Sequence, residues 1–480
     1  MGLVTPEAAV PVGQLGRVHF VGIGGAGMSG IARILLARGV AVSGSDQAAS
    51  PQLDELAALG AVIHLGHDPA NVEGADTVVR TPTAIKLDNP EIVAAGQRGI
   101  RVMHRAAVLA SVMLGKQGIA VAGTHGKTTT TSMLTTVLRQ WGADPAYVIG
   151  GILADTGLGA ADGTGDWFVV EADESDGSLV MLSPLAAVVT CIEADHLDNF
   201  ENLAQIEETF AAFAGKITEG GLLVACADDP GAAALAAASA RLPLRVRTYG
   251  ASAGADYRIS DVRVQGMSTT LTILLPERGE GAGGQAPSPV TLNIAVPGRH
   301  YALDATAAFA TAVELGVPAE AVVAGLAAYR GAQRRMEPKG EADGVRVLDS
   351  YAHHPTELAA DLTAAREVAA GGQVIAVFQP HLYSRTRFFA AEFGAALGLA
   401  DQALVLDVYA AREKPEPGVS GKLIADAVPR GRARFLPDDA AVPDVVASMA
   451  KPGDLVLTMG AGDVTRLGPL IVAALRERAR

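Results

Sequence analysis

The 480-residue sequence predicts an α/β protein of three domains, each built on a mostly parallel sheet. Three observations carry that expectation. The chain is longer than one hydrophobic core serves. From residue 17 onward, short apolar runs alternate with helical patterns, as in successive βα units. Two of those runs pass directly into glycine-rich turns that open a helix, a local design that exposes backbone N–H groups to an anion.

Residues 1–14 read as an N-terminal tail. The start, Met1-Gly2-Leu3-Val4-Thr5-Pro6, lacks a charged segment followed by an apolar core, so no signal peptide is expected and the cytoplasm is the expected compartment. A first domain spans 15–114. It opens with the strand Val18-His19-Phe20-Val21, a glycine-rich turn and the helical run Ile31 to Leu36. A second strand from Val40 ends near Ser45-Asp46, and others lie near Ala61-Val62-Ile63 and Thr77-Val78-Val79.

A central domain, 115–330, begins at the strand Ile119-Ala120-Val121-Ala122. Further strands are expected at Trp167 to Val170 and Ala187 to Thr190, and a helix near Ala302 to Leu315. Between about 255 and 296 the pattern turns β-like, and the Gly/Pro-rich stretch Arg278 to Pro289 reads as an exposed hairpin loop. The third domain, 331–480, carries strands at Val345 to Leu348, Val374 to Phe378, Ala403 to Leu406 and Leu455 to Leu457.

Composition narrows the function. A net charge of −14 argues against a general nucleic-acid binder or an anionic-membrane binder. No apolar run is long enough to span a bilayer. Cys191 and Cys226 are the two cysteines; they have no metal-type spacing and read as reduced thiols.

Gly123-Thr124-His125-Gly126-Lys127-Thr128-Thr129 follows the Ile119 strand and opens a helical run to Trp141. Glycines let backbone N–H groups approach phosphate oxygens, and the helix N-terminus favours negative charge. Lys127 is placed to reach the β- and γ-phosphates of ATP, and the Thr128 hydroxyl to bind Mg²⁺. Downstream, the strand from Trp167 runs into Glu171-Ala172-Asp173-Glu174-Ser175-Asp176, four carboxylates within six residues. Glu171, the first acid after the apolar run, is the candidate Mg²⁺ ligand, hard oxygen suiting that ion. The same strand-then-acid design recurs at Val188 to Asp198, where His196 is the candidate for a second metal ion. Gly22, Gly24 and Gly27 form a G-x-G-x-x-G turn, and Asp46 closes the second strand where it could accept a ribose hydroxyl.

Gly-Thr-His-Gly-Lys-Thr-Thr-Thr, Glu-Ala-Asp-Glu-Ser-Asp and Glu-Ala-Asp-His-Leu-Asp, in that order, resemble the Mur ligases over nearly the whole chain. Within that family the pattern is similar to the branch that joins L-alanine to UDP-N-acetylmuramate. The resemblance implies a Rossmann-like UDP-binding first domain, a central P-loop ATPase-type α/β domain and a C-terminal Rossmann-like domain that receives the amino acid. It assigns Gly22, Gly24, Gly25, Ala26, Gly27 and Asp46 to the sugar nucleotide. It assigns Gly123, Thr124, His125, Gly126, Lys127, Thr128 and Thr129 to ATP, with His300 near the adenine and Asp349 and Tyr351 by the nucleoside. Thr128, Glu171 and His196 become ligands of two Mg²⁺ ions. Lys127, His196, His353 and Arg334 become the residues at the reacting phosphate, and Arg385 the partner of a carboxylate. Asp349, Tyr351 and His353 share one face if that segment is extended. The implied reaction is ADP-forming: the muramoyl carboxylate takes the γ-phosphate, and the alanine amine displaces it from the acyl phosphate.

The sequence departs from the family pattern at Tyr301 and Asp304, where asparagines are usual, at Cys191, where asparagine is usual, and at Leu382, where a basic residue is usual. Ser175 stands where the related recycling ligase, which adds a preformed peptide, usually has tyrosine. Two other readings stay open on the sequence: a nicotinamide dehydrogenase, suggested by the first glycine turn, and a nucleotide-binding relative without catalysis.

Overall fold

The computed structural model describes residues 4–82, 84–196, 199–276, 289–411 and 413–480. The Gly/Pro-rich loop expected at Arg278 to Pro289 falls almost wholly outside the described residues. The chain forms two compact units. The first comprises the chain up to Ser260, Thr272–Thr291 and Leu303–Tyr329; the second comprises Asp261–Leu271, Leu292–Ala302 and Arg330–Arg480. The second unit therefore draws in two segments that the sequence pattern groups with the central domain. Among the described residues no helix is long and apolar enough to cross a membrane.

The first unit holds a five-stranded sheet in the order Val62–Leu65, Val42–Asp46, Val18–Val21, Thr77–Arg80, Arg101–His104. All four neighbouring pairs are parallel. The order reverses beside Val18–Val21, and Gly22 to Gly27 lies at that carboxyl-end switch point, where open α/β sheets take their ligands. Val18 to Val21 are all buried, as a strand covered on both faces requires. The second strand starts two residues later than its apolar pattern suggests, because Val40 and Ala41 close the turn after the helix Ala26–Ala37.

In the same unit, Gln117–Ala122 lies between Trp167–Glu171 and Ala186–Val189, parallel to both. The sheet continues on one side through Leu222–Cys226 and Arg245–Gly250, and on the other through Ala146–Val148 to the short antiparallel Ala160–Ala161. The three central strands thus end side by side, delivering the phosphate loop, the first acidic segment and the second acidic segment to one edge. Ile119 to Ala122 and Ala186 to Val189 are fully buried apolar runs, which fixes them as interior strands. Glu171 is the last residue of its strand rather than the first beyond it.

The second unit is organised on a six-stranded sheet: Glu337–Ala342, Val345–Ser350, Leu455–Met459, Val374–Phe378, Gln402–Val405, Ala433–Phe435. The first pair is antiparallel and the rest are parallel. Its core packs Val347, Ile375, Val377, Val456, Ile471 and Leu475, strand residues against one face of the last helix, Leu467–Arg478. The Val345 strand runs to Ser350, so Asp349 sits inside it while Tyr351 and His353 lie beyond its end. The alternation expected through His353 stops there, because His354 caps the next helix, Pro355–Ala369, and Glu357 reaches back to the His353 and His354 N–H groups.

Candidate active site

The phosphate loop is shaped by its glycines and held by the loop beside it. Gly123 has φ +131° and Gly126 φ +82°, both in the left-handed region where a Cβ is costly. Thr124 N donates to Cys191 O at 2.9 Å, and Glu193 N donates to the Thr124 hydroxyl at 2.9 Å. His125 N donates to Cys191 Sγ at 3.2 Å, and the Thr190 hydroxyl donates to His125 O. Cys191 thus accepts a bond from the loop through its sulfur. Thr130 donates to Asp304 Oδ1 at 3.2 Å, so the aspartate that replaces the usual asparagine sits under the same helix.

Lys127 is the first residue of the helix Lys127–Gln140, and Gly126 is its N-cap. Its Nζ donates to Gly123 O at 2.5 Å, Thr124 O at 3.1 Å and Glu174 Oε1 at 2.9 Å. Burial opposes its charge, but Glu174, Glu171 and Asp173 outweigh that and raise its pKa. His196 Nε2 lies 3.7 Å from Glu174 Oε1 and 3.8 Å from Asp195 Oδ2. Burial again works against the charged form, and the Glu174, Asp195 and Asp173 carboxylates raise the imidazole pKa. His196 has φ +53°, a conformation that a non-glycine residue holds only when its surroundings impose it.

The four carboxylates of the first acidic segment have four different partners. Glu171 accepts from Gly150 N at 2.8 Å, and Gly150 must lack a side chain because a Cβ would come within 2.6 Å of that carboxylate. A Cβ on Gly151 would meet Thr128 Cγ2 at 2.9 Å, so the Gly150-Gly151 turn packs against two of the three expected metal ligands, Glu171 and Thr128. Asp173 takes Arg105 at 3.1 Å; burial raises its pKa, and Arg105, His196 and Lys127 more than reverse this. Asp176 pairs with His104 at 3.3 Å. Among the described residues Glu174 is the acid of this segment that joins Lys127 and His196, and its second oxygen, Oε2, is buried with no hydrogen-bond partner among them. A hard divalent cation suits Glu174 Oε2, a buried carboxylate oxygen that finds no hydrogen-bond partner among the described residues and belongs to the carboxylate beside the His196 imidazole.

At the first sheet's switch point, Gly22 has φ +81°, and Gly24 N donates to Asp46 Oδ2 at 3.0 Å. Gln47 N donates to Asp46 Oδ1 at 2.8 Å, so both Asp46 oxygens already brace the turn. Gly25 caps the helix Ala26–Ala37 without a side-chain bond. Gly27 lies against Arg105, whose Nη1 would be 2.7 Å from a Cβ there.

In the second unit, Arg334 has φ +60° and stacks on Tyr351 at 4.8 Å. Its Nε donates to Asp349 Oδ2 at 3.3 Å, and its remaining nitrogens donate to Gly460 O and Ala461 O. Asp349, wholly buried, also accepts from Thr458 at 2.6 Å and Thr465 at 2.7 Å. Its carboxylate therefore ties three segments of the unit together. His353 Nδ1 lies 3.0 Å from Tyr351 O and 3.3 Å from Glu357 Oε2. His300 Nε2 lies 3.1 Å from Asp361 Oδ1. Arg385 is buried in the short helix Tyr383–Phe388, which Leu382 caps at φ +70°.

The structure brings the loop, Glu171 and the His196 segment to one sheet edge and places beside them Glu174 and the Gly150-Gly151 turn, neither of which the sequence reading singled out. The signal for the turn was present, a glycine pair directly after an apolar run. No local signal distinguishes Glu174 from its three acidic neighbours.

Comparison with known proteins matches this layout. The Mur ligase family catalytic domain matches residues 17–117, the Mur ligase middle domain 121–312, and the Mur ligase glutamate ligase domain 334–462. The chain is 54% identical to a UDP-N-acetylmuramate–L-alanine ligase of Thermobifida fusca (strain YX), over 99% of this chain and 100% of that one. Among solved structures, a UDP-N-acetylmuramate–alanine ligase of Thermotoga maritima aligns with a TM-score of 0.80 and 28% identity, covering 96% of this chain and 99% of that chain. A murein peptide ligase of Psychrobacter arcticus 273-4 aligns with a TM-score of 0.69 and 25% identity, covering 96% and 98%. A glycine turn inside a Mur ligase domain removes the ground for a dehydrogenase. On matches that run through all three sheets, the chain belongs to the Mur ligase family.

Proposed function

We propose that this protein joins L-alanine to the carboxylate of UDP-N-acetylmuramate, with cleavage of ATP to ADP and phosphate, as a cytoplasmic step of peptidoglycan synthesis. The observation that carries the reading is the Lys127–Glu174–His196 cluster at the mouth of the phosphate loop, in a chain that matches an alanine-adding relative end to end. Domain limits of 15–114, 115–330 and 331–480, after a tail of 1–14, are part of the proposal, with the sugar nucleotide, ATP and the amino acid assigned to them in that order. The free thiols of Cys191 and Cys226 suit a reducing compartment.

In this mechanism the N–H groups of Gly123 to Thr129 cradle the ATP phosphates, and Lys127 turns to the transferring phosphoryl group. Such transfer needs positioning and charge neutralisation rather than a protein nucleophile. Mg²⁺, when bound through Thr128, Glu171 and His196, supplies further positive charge to the phosphate oxygens. The Gly22 to Gly27 turn and Asp46 hold the uridine diphosphate. His300, Asp349 and Tyr351 serve the adenosine side. His353 and Arg334 act toward the transferring phosphate, and Arg385 takes the alanine carboxylate. The amine attacks as the neutral form, and closure against water protects the acyl phosphate.

The test is ADP release by the purified chain with UDP-N-acetylmuramate and either L-alanine or a tripeptide. Alanine-dependent release is expected. Release with the tripeptide alone would favour the recycling ligase, and no release with either, in a folded sample, would favour a nucleotide-binding relative without catalysis.

A further inference from the structure

We propose that Glu174 is an exchange carboxylate: it holds Lys127 and His196 in register, and through Oε2 it binds the divalent cation that accompanies the nucleotide. The inference deepens the proposed function and rests on it for the presence of ATP at this loop.

The argument starts from burial. Glu174 is 2% exposed, and a carboxylate removed from water needs compensation at both oxygens. Oε1 has it, from Lys127 at 2.9 Å and from His196 at 3.7 Å. Oε2 does not; it is buried and accepts no hydrogen bond from any of the described residues. Leaving a buried acceptor unmade is costly, and such atoms in native proteins generally mark a missing ion or water. The neighbouring acids do not share this state. Glu171 is engaged by Gly150 N, Asp173 by Arg105 and Asp176 by His104.

The position selects a cation rather than a water. Glu174 stands between the phosphate-loop lysine and the histidine of the second acidic segment. Lys127 cannot keep its bonds to Gly123 O, Thr124 O and Glu174 while also reaching a phosphate, since Nζ has three donors and all three are committed. When it turns to the phosphate, Glu174 loses its principal positive partner. A hard divalent ion restores the charge balance, with His196 held beside the same carboxylate by its imposed backbone conformation. Glu174 therefore exchanges one cation for another within a single turnover.

The experiment is Mn²⁺ binding, followed by electron paramagnetic resonance, with ADP present and absent, on the full chain and on Glu174→Gln and Glu174→Asp. Circular dichroism melts check that each variant folds. Wild type is expected to show nucleotide-dependent Mn²⁺ binding. Glu174→Gln, which keeps the shape and loses the charge, is expected to weaken that binding by about 10- to 100-fold. It is also expected to leave binding of metal-free ADP unchanged or tighter, because Lys127 is released from its counter-ion. Glu174→Asp should recover part of the Mn²⁺ signal. Wild-type Mn²⁺ affinity in a folded Glu174→Gln overturns the inference alone. A wild type that shows no nucleotide-dependent Mn²⁺ binding overturns the proposed function with it. Weakening of metal-free ADP in parallel with Mn²⁺ would mean a role confined to shaping the loop, and would also overturn it.

Discussion

Gly126 and Asp304 approach so closely that a Cβ on Gly126 would lie 2.5 Å from an Asp304 carboxylate oxygen. Gly126 also holds φ +82° as the N-cap of the phosphate-loop helix. Two independent restrictions, space and backbone, therefore meet at one residue. We expect Gly126→Ala to introduce local strain of about 1–3 kcal/mol. It should appear as loss of ADP affinity of roughly tenfold or more, together with a melting temperature lowered by a few degrees. Calorimetric titration measures it; affinity within about twofold of wild type would refute the restriction.

Lys127 and Glu174 form a buried pair, so single and double replacements should differ in kind. Lys127→Met strands the Glu174 carboxylate, and breaking such a pair costs about 3–5 kcal/mol. Adding Glu174→Gln should recover most of that stability and none of the alanine-dependent ADP release. Denaturant melts with a turnover assay read both quantities. A double variant no more stable than Lys127→Met would show that the pair is not the source of the loss.

Glu91 is wholly buried in the first sheet's domain, where it accepts from Ser45 at 2.6 Å and Asn71 at 2.6 Å and lies 3.7 Å from His19 and 3.2 Å from His67. Burial raises its pKa, and the His19, Ser45 and Asn71 contacts outweigh that to bring it down to about 2. A carboxyl with a depressed folded-state pKa contributes stability that is complete above its unfolded value, near 4.5, and is lost as pH falls toward 2. The contribution is on the order of 3 kcal/mol. Wild type should outlast Glu91→Gln in urea at neutral pH, and the gap should close between those two pH values. A gap that stays constant with pH would contradict this.

Arg334 clasps Asp349, Gly460 and Ala461 while its guanidinium plane covers Tyr351. Lysine keeps the charge but not the planar fork. We expect Arg334→Lys to destabilise the second unit by about 1–2 kcal/mol, and to lower alanine-dependent turnover beyond what that loss explains. Thr465→Val, which removes one bond to Asp349, provides the comparison: a similar stability loss with near-normal turnover. Equal turnover losses in both would reduce Arg334 to a structural clasp.

Much of the molecule was legible in the sequence because its determinants are local. Ile119 to Ala122 is continuous, apolar and short, which leaves an interior strand as its stable state. The two glycines around Thr124-His125 permit one backbone path, and Lys127 follows at a fixed distance along the chain. Helix limits shifted by a few residues where caps decide them, as at His354, whose capping box ends the extended run that period-two alternation carried to His353.

What the sequence could not decide is how shared charges are divided. Glu171, Asp173, Glu174 and Asp176 are equivalent acids in one short segment, and local pattern favours the first of them. The folded chain gives them Gly150, Arg105, Lys127 with His196, and His104 respectively. Those partners come from four different places in the sequence, and ion pairing depends on distance in space. Strand type and loop path are set by neighbours along the chain, whereas the identity of the buried, half-satisfied carboxylate is set only when the strands Gln117–Ala122 and Trp167–Glu171 and the His196 loop are brought to one edge.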